Sequence, residues 1–386
     1  MANFPAPERD AALYGPPENQ PDAVRVKPVR DARVDVLRGF ALLMIFVDHI
    51  PRNTPALFTL HNFGFSDAAE IFVLLAGYSS MIAYGGLFQR SGTWATLVRI
   101  GRRCVRIYLF HAGLLLATLV IVRIWMELTG LTPRFGVAPL LQMGLLPGLA
   151  RGLALNALPN YLDILPLYIV LLALFPAVYY ATRRSVWGLL SLSATFWLAA
   201  SRYPYLNLPN AVAEDDGWYF NPFAWQFLFV IGAVLALAIR AGNGLLPQRR
   251  WVAVAAWAYL GFALLQGGSW LEWGLPDLKP FAMAPPDKGH VAPLRLIDIL
   301  ALTYLLFSSE AVRRLSRQTG LRLIDACGRH SLEIFATGCL AALVGRIVYR
   351  TLEPSWSVQV TVNLCGIALM LGLARILDLR ARQRAA

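Results

Sequence analysis

Residues 33–50 open Arg33-Val34-Asp35-Val36-Leu37-Arg38-Gly39-Phe40 and close Phe46-Val47-Asp48-His49-Ile50, an apolar run with charge at both ends. Val34 to Ile50 is long enough for a membrane helix. Arg38 and His49 lie eleven residues apart, roughly three turns, so they share one helix face about 16 Å apart along the axis. Charge in a lipid-embedded segment is costly, and a face that carries both residues reads as a functional site turned into a helix bundle. The plainer alternative has Arg38 snorkelling to one headgroup layer and His49 wet at the other. The shared face and the acidic neighbours Asp35 and Asp48 favour the first reading. A second helix follows, opening Ser66-Asp67-Ala68-Ala69-Glu70.

The 386 residues are 57% hydrophobic and only 15% charged. Soluble domains run nearer 45–50% and about 25%, so the composition excludes an ordinary soluble enzyme. Apolar runs predict an all-α polytopic membrane protein of about ten spans: 34–50, 66–88, 104–128, 160–182, 185–200, 221–240, 250–266, 294–310, 331–352 and 356–376. Residues 1–30, rich in Pro, read as a disordered tail, 31–376 as one membrane domain and 377–386 as a second tail. Ala138 to Asn156, broken by Pro147, Gly148 and Gly152, reads as a re-entrant or interfacial segment. The net charge of +12 would suggest nucleic acid in a soluble chain. Here the arginines cluster in alternate connections, all on one side of the membrane, which places both termini in the cytoplasm and leaves no nucleic-acid partner. The four cysteines have no CxxC spacing, so neither a disulfide nor a metal is expected.

With that orientation, Arg38 lies toward the cytoplasm and His49 at the outer mouth, at the depth of Asp67 and Glu70. A neutral imidazole can take a proton from a hydroxyl while a carboxylate fixes its tautomer. Glu70, on another helix, is the expected orienter; Asp48, about 100° around the same helix, is the second candidate. A structural contact between helices is the alternative. Asp163, Asn221, Trp225, Gln226, Arg295 and Asp298 open other spans on the same side. Arg99, Arg102, Arg103 and Arg106 follow i, i+3, i+4, i+7 spacing and make one cationic face entering the third span. The positive-inside rule accounts for them, and so does a phosphate site. His111, buried early in that span, reads as a helix–helix hydrogen bond or a ligand contact.

Arginine, ten residues, then histidine in a first span resembles the signature of the acyltransferase-three superfamily. The stretches Arg30-Asp31-Ala32-Arg33-Val34-Asp35, Phe46-Val47-Asp48-His49-Ile50-Pro51 and Phe63-Gly64-Phe65-Ser66-Asp67-Ala68-Ala69-Glu70 are closer still to its OpgC family. That resemblance reaches to about Arg375. It implies a bacterial inner-membrane enzyme that moves a succinyl group from cytoplasmic succinyl-CoA to hydroxyls of osmoregulated periplasmic glucans, with membrane lipid around it and no permanently bound cofactor. On this reading His49 is the general base. Arg38, the four-arginine face and His111 serve the donor, with Arg102 and Arg103 the best-matched pair. Asp67, Asp163, Asn221, Trp225 and Gln226 face the acceptor, and Arg52 or Arg295 meets the carboxylate of the succinyl group. Gly328-Arg329-His330-Ser331 resembles the turn that opens a late span in the superfamily, but Leu332 stands in place of the usual aromatic. The rival class is a transporter of glucan or organic acid, with Arg38, His49 and Glu70 as a proton or substrate path.

Overall fold

The computed structural model describes residues 31–132, 136–203, 205–213 and 217–384. The amino-terminal tail, 1–30, lies outside the described residues. Fourteen α-helices and three short 3-10 turns are described, with no strand among the described residues. In chain order the helices are α1 (Ala32–Asp48), α2 (Ala68–Arg90), α3 (Gly92–Thr129), α4 (Ala138–Gln142), α5 (Leu145–Leu153), α6 (Ile164–Arg184) and α7 (Val186–Arg202). They continue with α8 (Pro222–Ala241), α9 (Arg250–Gly267), α10 (Pro293–Ser308), α11 (Glu310–Leu315), α12 (Arg322–Arg329), α13 (Ser331–Thr351) and α14 (Trp356–Gln383).

Each of the ten expected spans overlies one of these helices. Six, namely α2, α3, α6, α8, α13 and α14, are long and apolar enough to cross a membrane. The chain is thus a multi-pass membrane protein. The other four, α1, α7, α9 and α10, have 17, 17, 18 and 16 residues. Helix α3 runs unbroken for 38 residues, about 57 Å, nearly twice a bilayer's hydrocarbon core. Its first turns therefore carry the arginine face beyond the apolar part. Helix α14 likewise passes residue 376 without a break and holds Arg380 in its last turn.

Glycine sets the closest crossings. A Cβ on Gly77 of α2 would overlap the Phe229 carbonyl of α8, and one on Gly232 of α8 would overlap the Leu74 carbonyl of α2. The pair is reciprocal, so backbone packs on backbone as small residues permit between membrane helices. Helices α1 and α12 cross in the same way, with Gly39 against the Ile324 carbonyl and Gly328 against the Asp35 carbonyl. The glycine of the 328–331 turn is thus required by its approach to α1. Phe46 of α1 fills the space above Gly366 of α14 and is buried. These contacts hold α1 at the centre of the bundle, between α2, α12 and α13.

The segment 138–156 is a helical hairpin turning at Gly144, whose φ of 93° suits glycine. Gly148 and Gly152 face Leu140 and Leu115, while Leu145 and Leu146 are exposed. Its polar tie to α3 is the Tyr108 hydroxyl, which donates to the Leu153 carbonyl at 3.0 Å.

Candidate active site

His49 follows the last turn of α1, and its backbone N–H donates to Ile45 O at 3.0 Å. It lines a cavity of about 350 Å³ together with Asp48, Asp67, Tyr161, Asp163 and Lys288. The His49 ring lies on that of Tyr161, with centroids 4.7 Å apart at 60°. The Arg346 guanidinium covers the same tyrosine, 4.4 Å from its centroid, and donates from Nη1 to the His49 carbonyl at 2.9 Å. Tyr161 itself has a φ of 76°, an uncommon conformation for a residue with a side chain, which such packing can hold. Nδ1 of His49 is buried and has no hydrogen-bond partner among the described residues.

The expected pairing of Glu70 with His49 is not present. Glu70 is fully buried and both of its oxygens have other partners. Oε1 accepts from Arg295 Nε at 2.7 Å and Oε2 from the Asp67 backbone N–H at 3.0 Å. Asp67 returns the contact by accepting from Ala69 N at 2.8 Å, which makes a capping box at the start of α2. Geometry therefore makes Glu70 a support for Arg295 and the helix start. Asp48 accepts a hydrogen bond from the Thr59 hydroxyl and lines the cavity.

Asp67 is the electrostatic centre of this end. Its Oδ2 accepts from Lys288 Nζ at 2.6 Å and from Arg295 Nη2 at 3.2 Å, with His61 Nδ1 3.8 Å away. Burial alone would raise the Asp67 pKa, but Lys288, His61 and Arg295 hold it well below the usual carboxylate range. In return, the nearby Asp67 carboxylate raises the pKa of His61.

The structure places the remaining expected residues as follows. Asp163 is buried and lines the cavity. Asn221, Trp225 and Gln226 do not line it, because their polar atoms are taken by backbone and a neighbouring helix. Asn221 caps α8 through Phe223 N and donates to Leu206 O; Gln226 is bound to Ser193 of α7. Trp225 donates from Nε1 to Gly289 O at 3.0 Å. The Asn221 backbone N–H donates to the same carbonyl. Both therefore hold the loop that carries Lys288. Arg52 is exposed and donates to Tyr349 O, away from the cavity. Arg295 is buried behind Asp67 and Glu70. Arg38 turns to α2, donating to Ser79 Oγ at 2.7 Å and Leu75 O at 3.0 Å, and does not line the cavity. His111 is fully buried, with no hydrogen-bond partner among the described residues at either ring nitrogen, and it does not line the cavity either.

At the opposite end of the bundle, a second cavity of about 410 Å³ joins α3, α13 and α14. Arg103 and Arg106 line it, whereas Arg99 and Arg102 are exposed outside it. Arg329, His330, Ser331, Arg380 and Arg384 complete its basic wall. Acidic groups offset part of that charge. Arg106 pairs with Glu333, and Arg329 with both Asp325 and Asp378. The cavity thus unites half of the arginine face with the 328–331 turn.

The profile of the family described as OpgC protein matches residues 30–382, nearly the whole chain. The chain belongs to the OpgC family. No curated protein matches it. As an OpgC-family chain it is a membrane protein of glucan modification, and its class of activity is group transfer.

Two residues of the site, Lys288 and Arg346, were not singled out by sequence reasoning. Arg346 carried a signal, as an arginine near the middle of an apolar span is a functional candidate by default. Lys288 carried none, since one lysine in an outer loop looks like any solvated charge.

The role of Glu70 is open to a direct test. Glu70→Gln keeps the size of the side chain but leaves Asp67 as the one carboxylate on Arg295. A loss of about 1–3 kcal/mol is expected, read as a lower melting temperature in detergent. Glu70→Ala leaves the buried arginine more poorly compensated and should cost about 3–5 kcal/mol. An unchanged melting temperature in both variants would remove Glu70 from this structural role.

Proposed function

We propose that this chain is a membrane O-acyltransferase that takes a succinyl group from succinyl-CoA at the arginine end and places it on a glucan hydroxyl at the His49 end. The observation that carries the reading is the approach of two cavities of different chemistry along α13. Leu332 lines the arginine cavity and Phe335 lines the His49 cavity, a separation of about 4.5 Å along the axis. On this reading a donor held by its phosphates at one end presents its thioester at the other.

In this reading ten helices cross the bacterial inner membrane with both termini in the cytoplasm. The phosphates of coenzyme A rest on Arg103 and Arg106, with the 329–331 turn and Arg380 beside them, since guanidinium groups suit phosphate oxygens. The pantetheine arm passes the first turn of α13 beside Phe335. Neutral His49 accepts the proton of a glucan hydroxyl as its oxygen attacks the thioester carbonyl. Collapse of the tetrahedral intermediate breaks the C–S bond, and the imidazolium returns its proton to the departing sulfur. Succinyl ester and free coenzyme A are the products, and no net proton is consumed. Tyr161 and Arg346 hold the imidazole in place from one side.

The test is transfer of label from succinyl-CoA to glucan by the purified protein in detergent. Ester-linked succinate on the glucan is the expected product. Absence of any transfer, with glucan or organic acid moved unchanged by reconstituted protein, would replace the enzyme reading with a transporter.

A further inference from the structure

We propose that Lys288 selects the donor, by meeting the free carboxylate at the end of a dicarboxylic acyl chain while the thioester lies at His49. This rests on the acyl-transfer reading above. Lys288 is the lysine or arginine that lines the His49 cavity among the described residues. Arg295 has its donors turned to Glu70 and Asp67, and Arg346 lies on the ring of Tyr161, which lines the cavity where Arg346 does not.

Its position is built. The Asp287 side chain accepts from the backbone N–H groups of Gly289 and His290, which closes the turn that bears Lys288. Two indoles pin that turn from behind: Trp225 Nε1 on Gly289 O, and Trp197 Nε1 on His290 O and Val291 O. Val291 adopts a φ of 52° within it, a conformation that a β-branched residue takes only when its surroundings impose it. Asp67 then draws the ammonium to one corner of the cavity, where it lies 5.7 Å from the centroid of the Phe220 ring.

The ammonium is not used up by that contact. An ammonium has three N–H donors; one goes to Asp67, and the side chain keeps 27% of its surface open. Asp67 divides its charge between Lys288 and Arg295, so Lys288 retains attraction for a second carboxylate. Asp48 and Asp163 also line the cavity, and their carboxylates leave the Lys288 ammonium, among the described residues, as the one lining lysine or arginine that attracts an anion. The cavity thus accepts a terminal carboxylate at one corner, and its 350 Å³ suits a short acyl chain.

The experiment compares succinyl-CoA with butyryl-CoA, which has the same four-carbon chain ending in a methyl group, as donors for the purified full-length protein. The parent should favour succinyl-CoA in kcat/KM. In Lys288→Gln the ratio of succinyl to butyryl use should fall by about tenfold or more, because the carboxylate loses its charged partner. Lys288→Arg keeps the pairing with Asp67 and should fold even if the glutamine variant does not. Its longer reach should shift preference from succinyl-CoA toward the shorter malonyl-CoA. A parent ratio preserved in Lys288→Gln, or a succinyl-to-malonyl ratio unaltered in Lys288→Arg, overturns the assignment. A parent that transfers none of these acyl groups overturns the acyl-transfer reading instead, so the two failures are distinguishable.

Discussion

Replacing His49 by alanine should abolish transfer, with kcat falling by about a hundredfold or more while the protein still inserts and purifies normally. Positioned general bases contribute about 10²–10⁴ in rate, and His49 is the imidazole that lies against Tyr161 in the cavity. The expected structural cost is small. His49 is only partly buried, and its link to Arg346 runs through its backbone carbonyl, which alanine retains. Lost activity would then report chemistry and not misassembly. The check is turnover at matched protein level, together with the elution profile and melting temperature of the purified variant. More than a tenth of the parent rate in His49→Ala would remove His49 as the base. Asp48→Asn should do less, because the nearest contact of that carboxylate is the Thr59 hydroxyl.

The second large effect is expected at the opposite end. Arg103→Ala with Arg106→Ala should raise the apparent KM for succinyl-CoA by about a hundredfold or more and leave that for glucan nearly unchanged. Each charge-assisted phosphate contact is worth about 1.5–3 kcal/mol. Arg99→Ala and Arg102→Ala, which alter exposed positions outside the cavity, should change donor KM by less than about twofold. The comparison separates a phosphate site from charge that only sets topology, since the positive-inside rule treats all four arginines alike. Unaltered donor saturation in the double variant would assign Arg103 and Arg106 to topology.

The helices were legible because apolar length and periodicity are local properties of the chain, and each of the ten expected spans overlies one. The capping box of Asp67 and Glu70 was equally local, written as an acid, two residues and a second acid before an apolar run. Reading it as a cap accounts for one of the two contacts that hold Glu70 outside the His49 cavity. Its other partner, Arg295, lies 225 positions away, and no local spacing announces such a pair. Asn221, Trp225 and Gln226 illustrate a different limit. A polar residue opening an apolar helix looks the same whether it faces a ligand, caps the helix or holds a loop. Here they cap, hold and bridge. The arginine face divided for a geometric reason: the cavity is built where α3 meets α13 and α14, and only Arg103 and Arg106 lie at that junction.

The central claim is that one chain joins a donor on one side of the membrane to an acceptor on the other. It is tested most directly in sealed vesicles containing the purified protein in known orientation, with glucan trapped inside and labelled succinyl-CoA added outside. Label should appear on the trapped glucan when the arginine cavity faces the donor. It should be absent in the reverse orientation and with His49→Ala. Equal labelling in both orientations, or transfer only after the vesicles are opened with detergent, would contradict a donor passage between the two cavities.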